Sequence, residues 1–179
     1  GDEGSAIWIA MRALGVCYKY FDGRGEATLI AEKVLKFFGV SDPRLLIDKV
    51  YTIAARDLGE LGRIAMLVDE AAEQGDSAAR RILEEGGREL ACMARAVYEK
   101  IGREEERFLI GGVGSVFSSR TLRESFLQNL RDLRNVVLID PLTGYLPIRG
   151  LAAILAEAHH LPRGFIDEVT ENVSELQRG

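Results

Sequence analysis

A chain of 179 residues with a hydrophobic fraction of 47% can bury a full core as one domain. Its net charge of −5 weighs against nucleic acid as the main partner. No apolar run approaches a membrane span and no signal peptide is visible. Cys17 and Cys92 lie far apart in helical patterns without metal-ligand spacing, as small apolar residues would. His159 and His160 are adjacent, so a helix would point them in different directions. These features suggest no metal centre and fit a reducing cytoplasm.

The chain opens on Gly1-Asp2-Glu3-Gly4-Ser5, two carboxylates between glycines directly before an apolar helical pattern. Ser5 suits an N-cap, and the helix is expected over 5–20. Carboxylates are stabilised at such a start, and Asp2 on a glycine turn is also well placed to accept hydrogen bonds from hydroxyls. The turn residues 21–25 end that helix. A second is expected over 27–38, with Leu29, Ile30, Val34 and Phe37 at helical spacing and Gly39 as its stop. Ser41-Asp42-Pro43 begins a short helix, because proline is favoured in a first turn. Further helices are expected over 58–73 and, after Gly75-Asp76, over 77–101.

The pattern changes after Gly102. Residues 103–107 are charged and read as a solvated loop. Phe108-Leu109-Ile110 is a short apolar run bounded by glycines, read as a buried strand. A helix over 119–133 and a second strand over 136–139 complete a parallel strand–helix–strand unit. A helix over 151–159 follows, and the polar tail carries no clear assignment. Two strands are few for a sheet domain, so the expected architecture is α/β, many helices packed on a small sheet.

Gly111-Gly112-Val113-Gly114-Ser115 joins the first strand to a helix, the place where open α/β sheets bind ligands. Glycines let backbone approach a nucleotide, and the helix start offers N–H donors to anions. A connection that merely packs helix on strand is an equal reading from local sequence. A dinucleotide site fits poorly, because Phe117 stands where G-x-G-x-x-G needs its third glycine. No G-x-x-x-x-G-K-[ST] loop is present.

Three separated blocks, residues 1–10, Gly75-Asp76 and residues 108–117, resemble the N-acetylglucosamine kinases and the wider BadF/BadG-type ATPases of the actin/Hsp70/hexokinase superfamily. The resemblance implies that residues 1–179 are the C-terminal lobe of a ribonuclease-H-like, actin-like fold, with the N-terminal lobe on a longer protein. A start without Met, directly in a motif, supports that expectation. The implied activity is transfer of the γ-phosphoryl group of ATP, with Mg²⁺, to the 6-hydroxyl of N-acetylglucosamine or a related amino sugar. Asp2 then matches the family's sugar-contacting aspartate, and Gly62, Gly112, Gly114, Ser115 and Ser119 match nucleotide-side positions. The base aspartate and phosphate loop of the family lie in the other lobe, so this chain alone is expected to be inactive and to hold no catalytic residue. Sugar and ATP are the implied partners, with homodimer formation open. An alternative branch activates a partner reductase or dehydratase and carries an iron–sulfur cluster, for which Cys17 and Cys92 show no ligand pattern. A non-catalytic sugar-sensing relative is a third alternative.

Overall fold

The computed structural model describes residues 1–101, 107–142, 152, 156, 159–162 and 164–176. Ser5 caps the first helix, α1 (Ala6–Phe21), its Oγ accepting the Trp8 N–H at 3.1 Å. Thr28 does the same for α2 (Leu29–Phe38), which ends on Gly39 in the left-handed conformation at φ 65°. A 3₁₀ turn (Pro43–Leu45), capped by Asp42, leads into α3 (Leu46–Arg56).

The helix expected over 58–73 is two: α4 (Leu58–Gly62) and α5 (Ile64–Glu73). Asp57 caps α4 through the Gly59 N–H at 2.8 Å. Around Arg63 the backbone tightens to i→i+3 hydrogen bonds, Arg63 N–H to Glu60 and Met66 N–H to Arg63, both at 3.2 Å. Gly59 and Gly62 weaken the helix locally, so little opposes this tightening. The long helix α6 (Ser77–Ile101) matches expectation.

Beyond it lie β1 (Phe108–Val113), a 3₁₀ turn (Ser115–Ser118), α7 (Arg120–Gln128), β2 (Val136–Leu142) and α8 (Gly164–Leu176). The strands pair in parallel, Phe108 with Val136 through Gly111 with Ile139, and the register shifts between Gly111 and Val113. The parallel strand–helix–strand unit read from the sequence is therefore present. Helix α7 stops at Gln128, short of the expected residue 133. There the Arg95 guanidinium takes the Asn129 carbonyl at 2.8 and 2.6 Å and the Asn129 amide donates to Ser125 O at 2.8 Å, ending the ladder. Arg95 also pairs with Asp132. The tail left unassigned from sequence forms α8. Phe165, Ile166 and Val169 carry a helical period there that the Pro162 and Gly164 punctuation obscured. Most of the helix expected over 151–159 falls outside the described residues, with 152 and 156 helical.

One core joins these elements. Ile9, Ala13, Leu14 and Cys17 of α1 face Ile64, Val68 and Ala71 of α5 and Ala79, Ile82 and Leu83 of α6. Phe108, Ile110, Val136 and Leu138 press the inner face of the sheet onto the same core, while Leu109, Val113 and Ile139 face outward.

Two buried features hold this arrangement. Asp76, 9% exposed, accepts from the Ala79 N–H at 2.8 Å, from the Leu29 N–H at 2.6 Å and from Thr28 Oγ at 2.8 Å. It thus caps α6 and ties the start of α2 to it. Burial pushes the Asp76 carboxyl up, but the donors from Ala79, Thr28 and Leu29 outweigh it and leave the pKa below the ordinary value. Gly86 and Gly87 lie mid-helix where α7 crosses α6. A Cβ on Gly87 would stand 2.4 Å from Leu122 O, 2.7 Å from Ser125 Cβ and 2.9 Å from Phe126 N. Ser125 Oγ donates to Glu84 O at 2.7 Å across the same contact.

Two outcomes are expected. Gly87→Ala should lower the thermal midpoint, because overpacking against α7 backbone costs about 1–3 kcal/mol and outweighs the helix-propensity gain of about 1 kcal/mol. Gly86→Ala should be near neutral, since its nearest neighbours are 3.4–3.6 Å away. Equal midpoints for the two variants in calorimetry would refute the close approach.

Asp76→Asn should cost about 1.5–3 kcal/mol at neutral pH through weakened charged hydrogen bonds. A depressed folded-state pKa stabilises above the unfolded value and is lost as pH falls through the folded one. The gap between native and Asp76→Asn chains should therefore be full at pH 7 and shrink below about pH 4 in denaturant titrations. A pH-independent gap would assign Asp76 no charge role.

Candidate functional site

The Gly1–Gly4 turn, α4 and α5, Leu83 of α6, and the segment Ser115–Ser119 enclose a cavity of 660 Å³. Its size lies within the range of small-ligand sites. Asp2 lies at its rim, its carbonyl accepting the Ser5 N–H at 3.0 Å to close the turn. The carboxylate itself caps nothing, because Ser5 already serves the helix, and among the described residues it has no hydrogen-bond partner. Gly4, at φ 80°, sits so close to α6 that a Cβ would stand 2.7 Å from Gly86 O and 2.6 Å from Leu90 Cγ. Asp2 is therefore held on a turn that glycine alone can fit there.

Across the cavity, Ser115 and Ser118 present exposed residues on the 3₁₀ turn. Ser119, 5% exposed, caps α7 by accepting the Leu122 N–H at 3.4 Å. Its hydroxyl proton remains available to a ligand. Gly62 forms the floor, where a Cβ would meet the Ala6 methyl at 3.4 Å.

Four of the sequence-selected residues, Asp2, Gly62, Ser115 and Ser119, thus line one cavity, though they come from three distant stretches of chain. Gly112 and Gly114 do not line it. A Cβ on Gly112 would fall 2.4 Å from Phe117 Cζ, so Gly112 is the seat of that ring. Phe117, 4% exposed, in turn packs edge-on against Phe126 with centroids 5.1 Å apart. This explains in packing terms why a phenylalanine stands where a dinucleotide loop needs glycine. Gly114 holds φ 123°, a conformation that favours glycine, with open space around its Cβ position.

The sequence reading missed Arg63, Met66 and Asp69, which also line the cavity. Their spacing of three was a legible signal, since it places Met66 and Asp69 on one side of α5 with Arg63 at its N-cap. Asp69 is half-buried and has no ion-pair or hydrogen-bond partner among the described residues. Glu70, on the same wall, pairs with Lys33 at 2.9 Å. Cys17 is not part of the site, and burial pushes its thiol up to about 12, so it holds no thiolate at neutral pH. No group of three or more metal-ligating side chains gathers among the described residues, and none of the described helices is long and apolar enough to cross a membrane.

No protein-family model matches the chain. The N-acetylmuramic acid/N-acetylglucosamine kinase of Clostridium acetobutylicum is 31% identical to it over 121 residues, covering 66% of this chain and 39% of that protein. The chain thus spans 39% of the length of the curated relative it matches. This similarity supports a relationship to the sugar kinases. The helical architecture on a two-stranded parallel sheet is compatible with an α/β fold.

The packing role of Gly112 has a direct test. Gly112→Ala should lower the thermal midpoint of the chain with no ligand present, and Phe117→Leu should partly rescue it by making room. Additive losses in that double-mutant cycle would remove the Gly112–Phe117 contact from the account.

Proposed function

We propose that this chain is the C-terminal lobe of a two-lobed, actin-like, ATP-dependent sugar kinase of the cytoplasm. Its reaction would transfer the γ-phosphoryl group of ATP to the 6-hydroxyl of N-acetylglucosamine or a closely related amino sugar. The observation that carries this reading is the convergence of Asp2, Gly62, Ser115 and Ser119 on one cavity, on a chain similar to a sugar kinase.

The chemistry of the lining divides by function. A carboxylate accepts hydrogen bonds and donates none, so Asp2 suits the hydroxyls of a sugar. Among the described residues it has no partner, which leaves both oxygens for that purpose. Ser115, Ser118 and Ser119 form the opposite wall, where hydroxyl donors and the start of α7 suit the nucleotide. Mg²⁺ commonly arrives on substrate phosphates with one or two carboxylates and several waters, rather than in an all-protein cage. Carried on the nucleotide, it would neutralise charge on the transferring phosphoryl group. The attacking hydroxyl would meet its base from the other lobe, and closure of the lobes would exclude water.

Asp2→Ala in the full-length protein should weaken sugar binding roughly ten- to a hundred-fold, the worth of one or two charged hydrogen bonds. ATP affinity and thermal midpoint should hold, because Ser5, not Asp2, caps α1. Isothermal titration with N-acetylglucosamine and, separately, with ATP distinguishes the two. Unchanged sugar affinity would remove Asp2 from the site.

A further inference from the structure

We propose that Asp69 accepts hydrogen bonds from the vicinal ribose hydroxyls of the nucleotide, and so makes this site prefer a ribonucleotide to its 2′-deoxy analogue. The inference rests on the reading of the cavity as the ATP site of a sugar kinase.

The first ground is placement. Ala65 and Met66 precede Asp69 by four and three residues on α5, and all three line the cavity. Residues at that spacing share one helix face. Ile64, Val68, Ala71 and Ala72 hold the opposite face of the same helix in the core. Core packing thus fixes the rotation of α5 and turns Asp69 to the cavity. A ligand-binding group on a packed helix is positioned more firmly than one on a loop.

The second ground is that Asp69 is not spent on the fold. It is half-buried, yet among the described residues it has no hydrogen-bond or ion-pair partner. Glu70 beside it takes Lys33 at 2.9 Å, and Arg63 lies over the Phe37 ring, 5.8 Å from the centroid, so neither cation pairs with Asp69. Aspartate is also a weak helix former, and in the middle of α5 it caps nothing.

The third ground is its distance from Asp2. Helix α5 runs alongside α1 in the same direction. A Cβ on Gly62 would meet the Ala6 methyl at 3.4 Å, and beyond the far end of α5 the Asp76 charge adds to burial in disfavouring the Cys17 thiolate. Asp69 lies two turns past Gly62, about 10 Å along the axis, whereas Asp2 precedes α1 at the near end. A sugar ring seated at Asp2 does not span that distance, so Asp69 meets the second substrate. A carboxylate repels a triphosphate, and adenine offers it one amino group. Ribose offers two adjacent O–H donors, one for each carboxylate oxygen.

The test measures KM for ATP, 2′-deoxy-ATP and inosine triphosphate with full-length native, Asp69→Asn and Asp69→Ala proteins at saturating N-acetylglucosamine. The native protein should favour ATP over 2′-deoxy-ATP about tenfold or more, the worth of one charged hydrogen bond. Asp69→Ala should raise KM for ATP more than for 2′-deoxy-ATP and shrink that preference to about twofold or less. Asp69→Asn, of nearly the same shape, should shrink it in part, because a neutral carbonyl accepts more weakly than a carboxylate. KM for the sugar and the thermal midpoint should hold in both variants. Direct titration of each nucleotide separates binding from turnover. The assignment is overturned by a native protein indifferent to the 2′-hydroxyl, or by variants that lose ATP and 2′-deoxy-ATP equally. Loss of the preference for ATP over inosine triphosphate instead, or a loss confined to the sugar, also overturns it. A native protein that neither binds ATP nor phosphorylates an amino sugar would overturn the kinase reading itself, and this inference with it.

Discussion

The architecture depends on one close approach, the crossing of α6 by other backbone at Gly86 and Gly87. On one side, α7 lies so near that Leu122 O occupies the place of a Gly87 side chain. On the other, the Gly4 turn rests against Gly86, with a Gly4 side chain excluded by Gly86 O. Interiors are packed to crystal-like density, so such contacts set positions rather than permit a range of them. Helix α7 carries Ser119 at its cap, and the Gly4 turn carries Asp2. The two walls of the cavity are therefore both indexed to the same pair of glycines. Gly costs roughly 1 kcal/mol per residue within a helix. Gly87 inside a 25-residue helix makes sense because the α7 backbone occupies the place of its side chain.

Asp76 plays a comparable part at the other end of α6. It satisfies orphan N–H groups at the starts of two helices at once, which fixes α2 against α6 and closes the helical layer around α1. Burial raises the pKa of such a carboxylate, and its hydrogen-bond donors more than offset this. Trp8 completes the framework from α1. It packs near Gly86 and carries Arg12 over its ring at 4.8 Å, while Arg12 reaches Glu85 at 3.1 Å. The start of α1, the middle of α6 and the cavity rim are thus mechanically one piece.

The cavity itself illustrates how function is placed on such a frame. Many of its polar groups come from a tight turn, a helix kink and a 3₁₀ turn, while Asp69 and Glu70 come from the body of α5. Irregular segments expose backbone and short side chains, and the rigid helices behind them hold those groups in place. Among the described residues, the Asp2 and Asp69 carboxylates in its lining have no hydrogen-bond or ion-pair partner. Stability was secured elsewhere, through apolar packing and helix caps, and the lining was left for a ligand.

Much of this was legible in the sequence alone. Ser5, Gly39 and Asp42 announced their turns and caps because capping chemistry is local, and the periodicity of α1, α2 and α6 survives in any context. The two strands and their parallel pairing followed from short apolar runs joined by a helix. Asp2, Gly62, Ser115 and Ser119 could be singled out by residue type and resemblance. What only the tertiary structure decided was which glycines serve a site and which serve packing. Gly112 and Gly114 look alike in the sequence, yet Gly112 seats the Phe117 ring and Gly114 supplies a positive φ. Arg63 and Asp69 were not singled out in the sequence, and joined the cavity lining only where α4 ends and α1 packs beside it. Caps and periods are set by neighbours in the chain, whereas a cavity is made by segments dozens of residues apart. Its membership is therefore fixed by close packing that no local pattern encodes.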